Sequence, residues 1–390
     1  MANPLRDALA RLPLVTAVVY TGTCLLPLAL ISAQILQLER EIGFGVGRLG
    51  LAIAAYFGAA ALAANPAGRL VAAMGPGRGL RIGGFLVVVA CILAGTAVTW
   101  WMIPVAAALA GLSNATIQVS SNLAIFDGVS RARQGAAFGA KQASVPMASA
   151  LAGISLPLIG LAFGWRWVFA GAAVLALVLA LSAPQLGEAS GGRRVEGRIG
   201  RPPRSLVYLA IGGIAGAMAG NGLSLFVVPS AVDIGIGEAA AGAVLAGCSL
   251  LVVLVRFGAG WLVDRNRSIG LAEMAWLTGV GAVGALALFA TSAPGLYLVA
   301  MPIAVLGAWG WPGVIFFTVV HSYPDQPARA SGLVLSGNLT GTVIGPVVVG
   351  ALAGRGNYPG AWLFVTVTSV VATVAFVASQ RLRRRSEISL

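Results

Sequence analysis

Apolar runs of about twenty residues recur along the chain, separated by short breaks rich in charged residues, glycine and proline. A helix needs ~20 mostly apolar residues to cross the ~30 Å hydrocarbon layer of a bilayer, so each run predicts one spanning helix. The breaks place twelve spans near 13–37, 48–71, 80–99, 103–126, 135–159, 165–183, 206–230, 239–262, 270–291, 296–320, 330–353 and 361–380. The longest break, PQLGEASGGRRVEGRIGRPPRS over 184–205, separates six spans from six. It reads as a flexible linker between an N-terminal six-helix bundle (1–183) and a C-terminal one (206–390). The first run, preceded by Arg6 and Arg11, imitates a signal peptide, but the even span count argues against cleavage.

Composition supports the same class. Of 390 residues, 58% are apolar and 9% charged, too little polar surface for a water-soluble domain. Glycines at four-residue spacing, Gly212, Gly216 and Gly220, predict close helix packing in lipid. The formal charge of +13 raises the idea of a nucleic-acid partner. The arginines, however, sit in the breaks: with a cytoplasmic N-terminus, 19 fall on the cytoplasmic side and four on the other. The positive-inside rule then places both termini in the cytoplasm, with the lipid bilayer as partner and no nucleic acid. Trp100, Trp101, Trp165, Trp167 and Trp362 fall at the outer interface, as an aromatic belt does. Cys24, Cys91 and Cys248 have neither metal-ligand spacing nor a pairing pattern and read as packing residues. No metal or cofactor is expected, and no catalytic motif points to an enzyme.

The two halves repeat. GRLVAA from Gly68 matches GWLVDR from Gly260 at an offset of 192. An offset of 197 aligns Lys141 with Asn338, Ser144 with Gly341, Gly153 with Gly350 and Trp165 with Trp362.

On these motifs the chain resembles the major facilitator superfamily of secondary transporters over essentially its whole length. The resemblance implies an all-α membrane protein of twelve transmembrane helices in two six-helix pseudo-symmetric halves, a monomer in the bacterial inner (plasma) membrane. The superfamily's G-x-L-x-D-R loop motif is fuller in the second copy, with Gly260, Leu262, Asp264 and Arg265. The first copy keeps Gly68, Leu70 and Gly75 but has Ala72 and Ala73 where Asp and Arg are expected. The resemblance implies that these loops help hold the halves together in the outward-facing state. In span eleven, Gly341, Gly345, Pro346 and Gly350 look like the superfamily's helix-bending Gly-Pro motif. More narrowly, Arg256-x-x-x-Gly260-x-x-x-Asp264 is similar to the span-eight pattern of monocarboxylate and oxalate/formate transporters. In those families the arginine helps bind a substrate carboxylate. GAKQASVP followed by FGWRWVF looks like cyanate-type bacterial members.

Lys141 is the only lysine; the other 24 basic side chains are arginines. It and Arg256 are the two basic residues deep inside spans, each ~12 Å from the arginine-rich end of its helix. All twelve carboxylates fall in breaks or at span ends. A charge at the bilayer centre costs at least ~2.5–3.5 kcal/mol, so cations without acidic partners imply a watery cavity or a counter-ion that arrives from outside. A small anionic substrate is that counter-ion: Arg256 forks two bonds to a carboxylate and Lys141 acts as a point charge. Asn114, Gln118 and Ser121 form one polar stripe in span four. Gln118 and Asn338 reach the depth of the cations, and Tyr56 and Asn221 are further cavity candidates. Other readings stand beside these. Lys141 snorkels to the interface, Arg256 serves the Asp264 loop, and Trp309 and Trp311 of AWGWPG line the cavity or pack beside a bent segment. His321 sits at the cytoplasmic end of span ten as a surface residue or a proton-coupling group.

The expected function is therefore a secondary active transporter moving a small, monocarboxylate-like organic anion by rocker-switch alternating access, with protons or a counter-anion as co-substrate. The alternatives are a drug/proton antiporter and, from another class, a transport-incompetent membrane sensor.

Overall fold

The computed structural model describes residues 4–130, 133–184, 202–265, 270–312, 315, 318–319 and 327–388. The expected linker over 184–205, the loop residues 266–269 and His321 lie almost wholly outside these described residues. Every regular element among the described residues is helical. Span one is Pro4–Ala33, two Val46–Met74, three Pro76–Gly95, four Met102–Gly128, five Gln134–Ser155 and six Trp165–Leu181. Spans seven to twelve are Arg204–Ser224, Glu238–Arg265, Leu271–Ala290, Pro294–Gly310, Pro327–Ala353 and Tyr358–Ile388. Ten of these contain a stretch long and apolar enough to cross a membrane, and the shorter apolar helices Trp165–Leu181 and Pro294–Gly310 complete the twelve. An even number of crossings puts both chain ends on one face, here the terminal face; the other is the distal face.

The helices depart from the apolar runs where backbone chemistry intervenes. The run over 13–37 breaks at Gln34, whose buried amide donates to Ser155 Oγ at 3.4 Å, and a short helix, Ile35–Ile42, follows. Span seven repeats the device: it gives way at Leu225 and Phe226 to the short helix Val227–Asp233. Gly43 (φ 70°) and Gly235 (φ 91°), just past these short helices, stand 192 residues apart, as do Gly164 (φ 97°) and Gly356 (φ 73°). Glycine takes this left-handed region without a Cβ penalty, and both pairs stand at the first of the two repeat offsets, although Trp165 and Trp362, near the second pair, align at 197. Span five runs on through a π-helical turn, Leu156–Gly160, where Pro157 has no amide to give. Span ten is interrupted within its run over 296–320: the helix Pro294–Gly310 gives way to a turn at Trp311, before Pro312, and the described residues 312, 315, 318 and 319 are helical again.

Glycines set the closest helix contacts. Gly212, Gly216 and Gly220 of span seven receive Phe376, Trp311 and Ala308. Among the described residues, the close backbone approaches between the first six spans and the last six include a set on the distal side. A Cβ at Gly153 of span five would sit 2.6 Å from Gly242 O and 2.8 Å from Ala246 N of span eight. One at Gly50 of span two would sit 3.0 Å from both Pro346 O and Val347 Cα of span eleven. Ser32 Oγ donates to Leu225 O at 2.5 Å, and Arg40 pairs with Glu238. The buried core follows the same division. Its main body runs through both sets of helices and includes Leu38, Phe44, Phe226, Tyr297 and Trp362 of the distal side. Toward the terminal face, the described core residues separate into Ala17, Ile125 and Ala137 on one side and Leu206, Met274, Trp311 and Phe376 on the other.

Candidate functional site

Lys141 and Arg256 are each 2% exposed, and neither has a carboxylate partner among the described residues. They are satisfied in different ways. Lys141, two turns into span five, turns its ammonium onto span four, donating to Asn122 Oδ1 and, at 3.5 Å, to the Gln118 carbonyl. Arg256 of span eight reaches two backbone carbonyls. Its Nη1 donates to Gln142 O of span five at 2.7 Å, and its Nη2 to Trp309 O of span ten at 2.8 Å. The guanidinium also lies 5.2 Å from the centre of the Trp309 ring. Trp309 lies beside an interruption of its helix: Trp311 is a turn residue with helical backbone angles, and the chain is helical again at Pro312. Nε of Arg256 is buried and has no partner among the described residues.

The two cations thus meet span five at neighbouring residues, Lys141 belonging to it and Arg256 held at Gln142, while the lysine head is turned to span four. The distal arginines differ: Arg40 pairs with Glu238, Arg166 with Glu41 and the Trp165 ring, and Arg48 lies over Trp100.

The other sequence candidates divide into two groups. Asn114 and Gln118 join the lysine environment, with Gln118 Nε2 donating to Asn114 Oδ1 at 3.3 Å. Asn338 is half-buried in span eleven, and its carbonyl accepts Thr342 Oγ1 at 2.9 Å. Asn221 ties span seven to span eleven through Thr342 Oγ1 at 3.2 Å. Tyr56 is fully buried and donates to Cys24 O at 2.9 Å, while Cys24 Sγ reaches Asn114 Oδ1 at 3.4 Å. Trp311 is fully buried between Gly216 and Phe376, its indole N–H on Ala308 O at 2.9 Å, so of the two tryptophans it is Trp309 that faces Arg256. Among the residues read as conformational, Gly345 packs against Met218 of span seven and the Pro346 carbonyl against Gly50 across the seam. A Cβ at Gly68 would meet open space. Gly260, Asp264 and Arg265 end span eight, and their side-chain positions lie outside the described residues.

Asn122 was not among the sequence candidates. Its signal was present, since residues 114, 118 and 122 continue one face at four-residue steps. A cavity of about 280 Å³ lies elsewhere around span five, between spans one, five and six and against Phe257. Val19, Leu26, Met147 and Leu179 make it apolar, unsuited to an ion.

Known proteins place this architecture. The sequence model of the Major Facilitator Superfamily matches residues 14–272 and 209–389. The chain belongs to that superfamily. Among solved structures, it is similar in fold to a bacterial homologue of the human lysosomal transporter Spinster, captured in an inward-facing and occupied conformation. The TM-score is 0.70 at 17% identity, with 98% of each chain covered. No curated protein matches the sequence. Superfamily membership makes the chain an integral membrane transporter of a small-molecule substrate, and the buried cations become its candidate substrate contacts.

Proposed function

We propose that the chain transports a small organic anion, of monocarboxylate size, by alternating access around Lys141 and Arg256. The observation that carries this reading is two buried cations, anchored at adjacent residues of span five, with no carboxylate partner among the described residues. Placing a charge in a membrane interior is costly enough that its partner is expected to be functional. Lys141 is the primary charge, because its ammonium is held by an exposed amide side chain, Asn122, and at 3.5 Å by the Gln118 carbonyl, partners that an anion displaces more readily than the two that hold Arg256. Asn122, Gln118 and Asn114 form the polar wall beside it. Arg256 supplies the second charge, and its fork suits a carboxylate once Nη1 leaves Gln142. The spacing of Arg256, Gly260 and Asp264, similar to that of monocarboxylate and oxalate/formate transporters, favours a carboxylate over an inorganic ion.

The arginine bias makes the terminal face cytoplasmic. With the distal seam closed through Gly153, Gly242, Gly50 and Pro346, the arrangement is then inward-facing. Anion binding neutralises the cations and lets the halves rock about the site.

The test is a thermal-shift screen of purified protein against monocarboxylates, dicarboxylates, inorganic anions and lipophilic cations, since a ligand that binds only the folded site raises apparent stability. Small carboxylates should raise Tm in the wild type and not in Lys141→Gln. Stabilisation by lipophilic cations alone would sink the anion reading and favour a drug antiporter.

A further inference from the structure

The bond between Arg256 and Gln142 has an origin in the primary structure. In an α-helix the carbonyl of residue i accepts the amide hydrogen of residue i+4. Four residues after Gln142 stands Pro146, inside span five, and proline has no amide hydrogen. The Gln142 carbonyl is therefore orphaned by its own helix, and at this part-buried position it is left to another donor. Such a carbonyl is often served within its own helix or by water; here the donor is Arg256 of span eight, from the other six-helix set. Span ten shows the same logic. Pro312 cannot donate to Ala308 O, which instead accepts the Trp311 indole at 2.9 Å, and the next carbonyl, that of Trp309, accepts Arg256 Nη2.

We propose that Pro146 is a positioning residue of the transport cycle: the carbonyl it orphans holds Arg256 across the two halves and sets how readily that arginine is released to an anion. The release step rests on the anion reading above; the holding step does not. Both cations then have a keeper on the protein, Asn122 for Lys141 and the Gln142 carbonyl for Arg256, and an incoming carboxylate competes with each. A proline two helical turns away, or a straight span five, would leave Arg256 with the Trp309 carbonyl alone.

The experiment is a double-variant cycle of Pro146→Ala and Arg256→Gln on the full chain in detergent and in proteoliposomes. Alanine restores an amide hydrogen four residues after Gln142, so its carbonyl no longer depends on Arg256. Arg256→Gln alone should lower Tm. Adding Pro146→Ala should recover at least half of that loss, because the orphan has been supplied with a donor. Any effect of straightening span five appears in both backgrounds and cancels in the cycle. Equal and additive losses would overturn the proposal. If Arg256→Gln does not yield folded protein, Arg256→Lys serves as the milder background, with the same rescue expected. In the second arm, Pro146→Ala with Arg256 intact should tighten binding of a stabilising carboxylate by about tenfold, the scale of one hydrogen bond to a charged donor. Unchanged or weaker carboxylate binding would remove the release step. Rescue of Tm with no anion bound by any variant would uphold the positioning of Arg256 and overturn the anion reading instead.

Discussion

Lys141 and Arg256 are equally buried and equally without acidic partners, yet they are built into the molecule differently. Lys141 is held within the first six spans, by an amide side chain, Asn122, that is itself exposed. Arg256 is held by two backbone carbonyls, one from each set of spans, with a tryptophan ring beside it. Water or an anion replaces an exposed amide at little cost, whereas orphaned buried carbonyls cost ~1–3 kcal/mol each. The contrast teaches that one buried cation contributes to cohesion between the halves while the other is the freer to meet a ligand.

The largest effect should come from Arg256→Ala, which orphans both the Gln142 and the Trp309 carbonyl. A clear fall in Tm together with loss of anion uptake is expected; uptake lost at an unchanged Tm would erase the contrast. Next comes Gly153→Val. Its side chain would run into Gly242 O and Ala246 N, whose backbone stands 2.6 and 2.8 Å from a Cβ at that position. Prying apart spans five and eight should cost Arg256 its hold on Gln142 while leaving Lys141 on Asn122. Distances between spin labels at the exposed distal positions Val98 and Arg355 should then lengthen. Labels that stay at wild-type separation would mean the seam does not depend on this contact. Lys141→Ala should abolish uptake in proteoliposomes with a smaller fall in Tm than Arg256→Ala, because the side chain it leaves behind, Asn122, is exposed and can turn to water. A Tm loss as large as that of Arg256→Ala would make the lysine structural as well. The smallest effect belongs to Asn122→Ala, a fall in KM of roughly fivefold with little change in kcat, because the amide that competes with the anion for the Lys141 ammonium is gone.

Much of this was legible in the sequence. Spans are announced by composition over twenty residues, and no tertiary context overrides that signal in a bilayer. The repeat was legible too, and the left-handed glycines at the same offset show it in the backbone. Helix breaks at Gln34 and at Leu225 were not, because an apolar run continues through a turn without changing its hydropathy. Within the site, the depth of Lys141 and Arg256 followed from counting residues, and the stripe that ends at Asn122 could be read one step further along its face. The partners of Arg256 could not be read that way. They are backbone atoms, one freed by a proline four residues downstream and the other beside an interruption of span ten, and only the packing of spans five, eight and ten brings them within reach. For the same reason the choice between Trp309 and Trp311 required the structure, since two residues apart on a helix point to nearly opposite sides.

The solitary lysine also makes the protein a self-reporting reagent. With arginine at every other basic position, the ε-amine of Lys141 is the sole side-chain primary amine in the chain. Reductive methylation, an isothiocyanate or an activated ester therefore marks one interior address. The yield of that label, read by mass spectrometry on a single peptide, measures how often the ammonium leaves Asn122 and meets water, without any engineered cysteine or tag.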